Sequence, residues 1–293
     1  MSEFQFPLKY SQADFATGDV VDKNTKLTTL KNFYRSILSK YICPLVDTSN
    51  VTDTSYMFYG CSNLIGVAPF DTSKVTNMNY MFSGCNNALY TVPLLDTSNV
   101  TIMSNMFNNC SILDNVPLFD TSKVTNMSNM FASCQKLETI PQFNTSNVTT
   151  MQSMFQNCSQ LRCIPELDTS NVTTMNSIFS NCTYLCKLPK FNASKLSNVS
   201  NFTGYSTLNN VKNIGGFENL GMVSSVSGTN TTYFIAGMPY LTKESVINVL
   251  NGLYDRAGNG ITTSITLKLH ANHLAMLSDD EKAIATNKGW TLS

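Results

Sequence analysis

Nine cysteines, two histidines and a recurring aspartate are the residues of this chain whose types and spacing could do chemistry. Six of the cysteines share one position of a repeated pattern, namely Cys61, Cys85, Cys110, Cys134, Cys158 and Cys182. Free cysteine is among the most buried residue types, and side chains stacked in parallel are poorly disposed to meet the ~90° torsion of a disulfide. We therefore predict a ladder of buried thiols that point inward.

Two further cysteines raise the alternative of a metal site. Cys163 and Cys186 follow members of the ladder and superficially complete a set of four thiolates for zinc. However, Cys163 lies two residues after the recurring leucine of its repeat, and Cys186 lies only one residue after the corresponding leucine. This mismatch does not favour the tetrahedral set of four ligands that structural zinc requires. The sequence therefore predicts no metal.

The two histidines lie close together in the segment His270-Ala271-Asn272-His273. The segment lacks the glutamate that would make a metalloprotease helix, so we interpret it as a loop with two ordinary histidines. Because the repeats contain no histidine, a nucleophile and its base could meet only here. We expect no catalytic residue and no cofactor, and we keep an enzyme carried on this C-terminal region as one alternative.

The aspartate opens an Asp-Thr-Ser motif, with Asn for Asp in two copies and Ala for Thr in one. The copies begin at Asp47, Asp71, Asp96, Asp120, Asn144, Asp168 and Asn192. A carboxylate ladder could bind calcium, but the change to Asn keeps a hydrogen-bond acceptor while it removes the charge. The motif therefore favours a local duty, in which the side chain accepts a hydrogen bond from the amides that follow, as in an Asx-turn.

These residues are held by a repeat whose period is 24 residues, with one interval of 25. The repeat frame reads Asp-Thr-Ser-x-Val-Thr-x-Met-x-x-Met-Phe-x-x-Cys-x-x-Leu-x-x-Val-Pro-x-Phe, as residues 120–143 show. Its Val, Met, Met, Phe and Cys positions follow the spacing of one face of a short helix. The stretch from Leu to Phe, which proline interrupts, predicts a short strand and a turn.

Stacked copies of such a unit bury apolar faces that one copy cannot bury alone. The sequence thus predicts an α/β solenoid that is curved, with a parallel β-sheet on the concave face and short helices on the convex face. We place an N-terminal segment and capping helix in residues 1–46, with the helix over residues 26–42. The repeats take residues 47–202. Degenerate repeats and a C-terminal cap take residues 203–293, with a helix over residues 243–255, a strand over 264–269 and a capped helix from Ser278 to Gly289.

Composition and charge limit the partners. Nineteen basic residues balance nineteen acidic ones, so no overall field steers the protein onto nucleic acid. Residues 1–7 lack the basic and apolar regions of a secretory signal, and no stretch approaches a membrane-spanning helix. We therefore expect folding in the cytoplasm, no nucleic acid partner and no membrane insertion.

The turn over residues 96–110 reads Asp-Thr-Ser-Asn-Val-Thr-Ile-Met-Ser-Asn-Met-Phe-Asn-Asn-Cys. In this frame the chain resembles the BspA-like leucine-rich-repeat family, the short repeats of bacterial surface proteins, over residues 47–202. The resemblance implies a leucine-rich-repeat-like α/β solenoid with roles in attachment, in binding of host or cell-surface components, and in protein interaction.

A second resemblance lies in the tail. Residues 280–292, from Asp-Glu-Lys to Gly-Trp-Thr-Leu, look like the closing segment of repeat proteins from gut bacteria and their phages, including virion proteins. An adhesin of the family would carry a signal peptide, whereas a virion protein assembles in the host cytoplasm. We therefore prefer a virion protein that contacts other virion proteins. The alternative is an adhesin or interaction protein on the surface of a gut bacterium, and both ends offer apolar helices through which copies of the chain could associate.

A ligand should be bound where the frame lets exposed residues vary. Two such places follow the frame's Leu and the frame's Pro, and together they form a strand-side band. We predict that the band binds a protein or a cell-surface glycan, and the alternative is that it is only a solvated face. Its candidate binding residues are Tyr90, Asp114, Glu138, Gln142, Arg162, Glu166, Lys187 and Lys190.

Overall fold

The structure is a computed structural model, and it describes residues 15–16, 28–32, 34–35, 41–42, 47–67, 69–197, 202, 208–220, 222, 232–234, 237–261 and 265–293. The strands are β1 (Phe15–Ala16), β2 (Tyr41–Ile42), β3 (Gly66–Val67), β4 (Lys187–Leu188), β5 (Phe191–Asn192), β6 (Asn213–Ile214), β7 (Phe217–Glu218), β8 (Thr232–Phe234), β9 (Ile265–Lys268) and β10 (Trp290–Leu292). The helices are α1 (Lys243–Asn251), α2 (Ala271–Met276) and α3 (Asp279–Thr286). Two sheets have three strands, in the orders β1-β2-β3 and β10-β9-β8, and two are the pairs β4-β6 and β5-β7.

Successive repeats are joined in register by parallel pairing at the frame position between Thr and the first Met. The bridges run in one series, Thr29 to Asp53, Asn77, Ile102, Asn126, Thr150 and Thr174. Alternate residues beyond the bridge continue the pairing, since the amide of Phe58 donates to the carbonyl of Met81 at 2.8 Å. The fold therefore has a repeat-like architecture, in which short parallel pairings link each repeat to the next.

The helix predicted between the frame's Val and Cys is wrong for the described residues of the repeats, which contain no α-helix. This segment instead makes consecutive tight turns, in which the amide of Met57 donates to Thr54 and that of Cys61 to Phe58. A positive φ recurs at two positions in each repeat, directly before the second Met and directly before Cys. These residues are Tyr56, Gly60, Tyr80, Gly84, Asn105, Asn109, Asn129, Ser133, Ser153, Asn157, Ser177 and Asn181.

The positive φ values explain why the apolar spacing wrongly predicted a helix. A positive φ at the third residue of a four-residue turn is the mark of a type II turn, and it is incompatible with a right-handed helix. Apolar residues at steps of three and one can face inward from such turns as well as from a helix. Asn, Gly and Ser at the turn positions are the signal that separates the two.

The predicted strand after the frame's Leu is found only in part. It forms the two-residue strands β3, β4 and β5, and β4 and β5 pair with β6 and β7. The described central repeats have single backbone hydrogen bonds on this side, such as that from the amide of Arg162 to the carbonyl of Glu138 at 3.0 Å. Proline in each copy removes a donor from the ladder, so the continuous pairing lies at the Thr-x-Met segment instead.

The core is a set of columns made by the frame's Val, Met, Phe, Cys and Leu, all of them buried. The aromatic column is the most regular, because ring centroids of successive phenylalanines are 5.2–5.9 Å apart with interplanar angles of 20° or less. Its members are Phe58, Phe82, Phe107, Phe131, Phe155 and Phe179. Offset stacking of this kind adds to the burial energy of each ring, and it fixes the register of the repeats.

The N-terminal capping helix predicted over residues 26–42 is wrong where residues are described. The amides of Leu30 and Tyr34 donate to the carbonyls of Asp53 and Met57, in the same pairing that links later repeats. Residues 41–42 form β2 rather than a helical turn. This segment is therefore one more degenerate repeat, while residues 26–27, 33 and 36–40 lie outside the described part.

Three of the C-terminal elements, α1, β9 and α3, agree with the prediction. Helix α1 and strand β9 lie within the predicted ranges. Helix α3 begins with a complete capping box between Ser278 and Glu281, and Gly289 follows it at φ 81°. Helix α2 and strand β10 were not predicted, and β10 pairs with β9.

No helix in the ranges described is both long and apolar enough to cross a bilayer.

Candidate functional site

The six cysteines of the ladder are buried, as predicted. Each thiol donates to the carbonyl oxygen of an aromatic residue in the preceding repeat, at 2.9–3.2 Å between sulfur and oxygen. Burial raises the pKa of Cys110 and of Cys182 to about 12. Since the thiolate is the nucleophile, these groups act as small apolar residues that also hydrogen-bond between repeats.

The aspartates of the Asp-Thr-Ser motif make the predicted Asx-turns. In all seven copies the Oδ1 atom accepts from the amide of the Ser two residues later, at 2.8–3.1 Å. Hydrogen bonds from Ser122 lower the pKa of Asp120, and Asn144 makes the same bond without a charge. Within the described residues no group of three His, Cys, Asp or Glu side chains could hold a metal ion.

The histidine segment is not the predicted loop. His270 is the N-cap of α2, and its Nδ1 accepts from the amide of Asn272 at 3.2 Å. His273 lies within the helix and is fully buried. Burial, and then the nearby His270, lower the pKa of His273, so both rings have structural duties in the cap.

The band lies on the surface as predicted, since all eight of its candidate residues are exposed. It consists of two columns. Tyr90, Asp114, Glu138 and Arg162 each follow the frame's Leu, with Lys187 one residue further along its own repeat. Gln142, Glu166 and Lys190 each follow the frame's Pro.

Contacts between repeats order these two columns. Arg162 Nε lies 3.3 Å from Glu138 Oε2, and the amide of Asp114 donates to the carbonyl of Tyr90 at 3.2 Å. The carboxamide of Gln142 donates to the backbone carbonyl of Glu166 in the next repeat. The Arg162–Glu138 pair is more than half exposed and contributes little to stability, so both charged groups can exchange their mutual contact for one with a ligand.

The band changes character along its length. At its N-terminal end three large side chains are open to solvent, since Tyr90, Leu94 and Leu118 are 56%, 73% and 62% exposed. The remainder has three acidic and three basic candidates, which leaves no net charge. Aromatic and Arg side chains beside apolar ones are typical of surfaces that contact another protein.

A cleft that sequence reasoning missed lies where the last repeat meets the C-terminal cap. It has a volume of about 350 Å³, and of the band only Lys190 lines it, together with Glu218, Asn219, Asn248, Asn251 and others. One signal was present: Gly215-Gly216 stands where other repeats have Pro and a variable residue. Paired glycines of this kind mark a close approach of two backbones.

The model of one protein family matches this chain. The model of a family described as "Mycoplasma protein of unknown function, DUF285" matches the chain twice, over residues 28–134 and 111–217. The two matches overlap and span residues 28–217 of 293. No curated protein matches the chain, and no solved structure does.

Proposed function

We propose that this chain, which belongs to the family of repeat proteins described as "Mycoplasma protein of unknown function, DUF285", is a non-enzymatic binding protein. Its band attaches to a protein or a glycan on a host surface. The observation that carries this proposal is the contrast between a constant frame, whose side chains are buried or hydrogen-bonded within the repeats, and exposed positions that vary. Within the repeats, a ligand can be recognised only by these variable positions.

We propose the finer fold class as well, a curved solenoid of the BspA-like leucine-rich-repeat type. The 24-residue period, the parallel bridges in one series and the buried frame leucines support it. Tight turns take the place of the short helices on the side away from the band. The curvature of a solenoid depends on the difference in width between its two sides. Because turns and helices differ in width, the curvature of this solenoid has to be measured.

The place of action that we propose is a phage virion, in which the chain is a fibre, tail or capsid-associated protein beside other virion proteins. The resemblance of residues 280–292 to the tails of phage repeat proteins supports it. That segment holds most of α3 and all of β10, and Trp290 Nε1 donates to the carbonyl of Tyr254 at 3.0 Å. Copies of the chain would associate through the terminal segments, where Tyr240 is 57% exposed.

A mass-spectrometric search of purified phage particles tests the virion. Particles are banded on a density gradient from a culture that carries the gene, and the envelope and cytosol of the same cells are analysed in parallel. Peptides of the chain in the particle band, at a constant ratio to a capsid protein, are the expected result. Enrichment in the envelope fraction would support the bacterial surface adhesin instead, and a purely cytosolic protein would contradict both.

A further inference from the structure

The cleft at the junction of repeats and cap is built by close backbone contacts. A Cβ at Gly252 would overlap the carbonyl oxygen of Phe217, and one at Gly216 would lie 2.8 Å from that of Asn248. The amide of Leu220 donates to the carbonyl of Gly252 at 3.1 Å. These contacts hold the end of α1 close to the backbone of residues 217–220, so the walls of the cleft are formed without a ligand, as is usual for small-molecule sites.

Three carboxamides line this cleft, from Asn219, Asn248 and Asn251. Within the described residues none of the three makes a side-chain hydrogen bond to another protein group. Asparagines of the repeats are used differently, since Nδ2 of Asn99 and of Asn147 donates to a serine carbonyl of the preceding repeat. The cleft therefore gathers hydrogen-bonding groups that the fold itself does not employ.

The charges in the cleft cancel. Lys190 Nζ lies 3.5 Å from Glu218 Oε2, and both side chains are more than half exposed. Such an ion pair is weak, and its atoms supply three further donors and two acceptor oxygens at the rim. An anion or a cation would gain little from a balanced pair, so the cleft favours an uncharged polar ligand.

We propose that this cleft is a binding site for a neutral saccharide. Each carboxamide both donates and accepts, as each sugar hydroxyl does, and two adjacent carboxamides can bind the vicinal hydroxyls of a pyranose. Phe217 and Leu253 also line the cleft but are almost fully buried, so the carboxamides and the rim charges would carry recognition of the sugar. The volume of about 350 Å³ is at the lower end for ligand sites and suits one or two sugar rings.

This site shares only Lys190 with the band and does not depend on a virion. The test uses the full-length protein and a panel of neutral hexoses, N-acetylhexosamines and their disaccharides, with binding measured by saturation-transfer NMR and titration calorimetry. The double variant Asn248→Ala/Asn251→Ala removes two carboxamides from exposed positions of α1. Alanine favours a helix, so the thermal unfolding midpoint should not fall.

We expect at least one sugar of the panel to bind, and the double variant to weaken that binding about tenfold or more, the effect of two lost hydrogen bonds. The control variant Glu244→Ala, on α1 outside the cleft, should bind as the unaltered protein does. The band variant Glu138→Ala/Arg162→Ala, measured with the same sugars, separates the cleft from the band. Absence of binding to the whole panel at millimolar concentration overturns the proposal. Unchanged binding by the double variant overturns it as well, and loss in the band variant alone would move the sugar site to the band.

Discussion

At the scale of single residues, most reactive side chains stabilise the repeats themselves, either between neighbouring repeats or within one turn. The thiol of Cys134 donates to the carbonyl of Phe107 at 3.1 Å, and Asp120 closes its own turn through Ser122. Only Cys163 and Cys186 are exposed among the described cysteines, and Cys186 Sγ lies 3.1 Å from the carbonyl oxygen of Arg162. Position in the frame therefore decides which thiols a reagent can reach.

Alkylation of the native protein with iodoacetamide at pH 8 should separate the two kinds of cysteine. Cys163 and Cys186 are expected to be modified within minutes. Cys110 and Cys182 should react only after unfolding in guanidinium, because burial raises their pKa to about 12 and excludes the reagent. Peptide mapping by mass spectrometry gives the extent at each site, and native labelling of Cys110 as fast as that of Cys163 would contradict the buried ladder.

The turns make a second prediction for single residues. Asn109 has φ 60° and is exposed, and the first two repeats have glycine at the equivalent place. Asn109→Val puts a β-branched residue at a positive φ and should lower the free energy of unfolding by about 1–3 kcal/mol. Asn109→Gly, the matched control, should stay within ~0.5 kcal/mol of the unaltered protein in urea denaturation. Equal stability of the two variants would mean that this residue is not in the left-handed region.

At the scale of elements, the sequence predicted what depends on local chemistry. Ser278 and Glu281 predict the start of α3, and each Asp-Thr-Ser motif predicts an Asx-turn. The spacing of Val124, Met127 and Met130 predicts a helix, but inward-facing positions recur at similar intervals in consecutive type II turns, which the structure has instead. The pairing between repeats depends on hydrogen bonds 23 residues apart, such as that from Thr54 to Asn77, which no local pattern encodes.

The sequence also predicted one part of the candidate site and missed another. The frame showed which positions vary, and the exposure of all eight band residues followed from it. The cleft escaped prediction because it joins Lys190 to α1, about 60 residues later in the chain, and only the Gly215-Gly216 pair marked the contact. Sequence reasoning therefore located the surface that repeats along the chain and missed the cleft that occurs once.

His273 in helix α2 predicts how the stability of the protein depends on pH. The pKa of His273 is lowered in the folded protein by burial and by His270, so the unfolded chain binds this proton more tightly. Stability should therefore be unaffected by His273 above about pH 6.5, the ordinary pKa of histidine. It should decrease as the pH falls below that value, until the lowered folded pKa is passed.

Thermal unfolding of the cap, monitored by Trp290 fluorescence at pH 7.5 and 5.5, measures this effect. The variant His273→Leu should lose most of the difference between the two pH values. The control His270→Asn, which keeps an N-cap acceptor, should retain most of it, because burial is the larger cause of the lowered pKa of His273. A difference that survives in His273→Leu would assign the pH dependence to another group.

At the scale of the whole molecule, the repeats present one face on which side chains vary while the frame stays constant. That face starts with Tyr90, Leu94 and Leu118 and continues with balanced charges. Because the band has no net charge, we expect its binding to depend little on ionic strength. Affinity should instead come from large side chains such as Tyr90 and Arg162, the types that dominate binding surfaces.

The most direct test of this account is the binding of the purified, fluorescently labelled protein to intact cells of a panel of gut bacteria. We predict saturable binding to at least one species. The variant Tyr90→Ala/Arg162→Ala should weaken it about tenfold or more. The variant Lys123→Ala, which removes an exposed contact to Asn99 outside the band, should bind unchanged. Binding that is the same for all three proteins, or that Lys123→Ala loses as fully as the band variant, would contradict the claim that the band is the recognition surface.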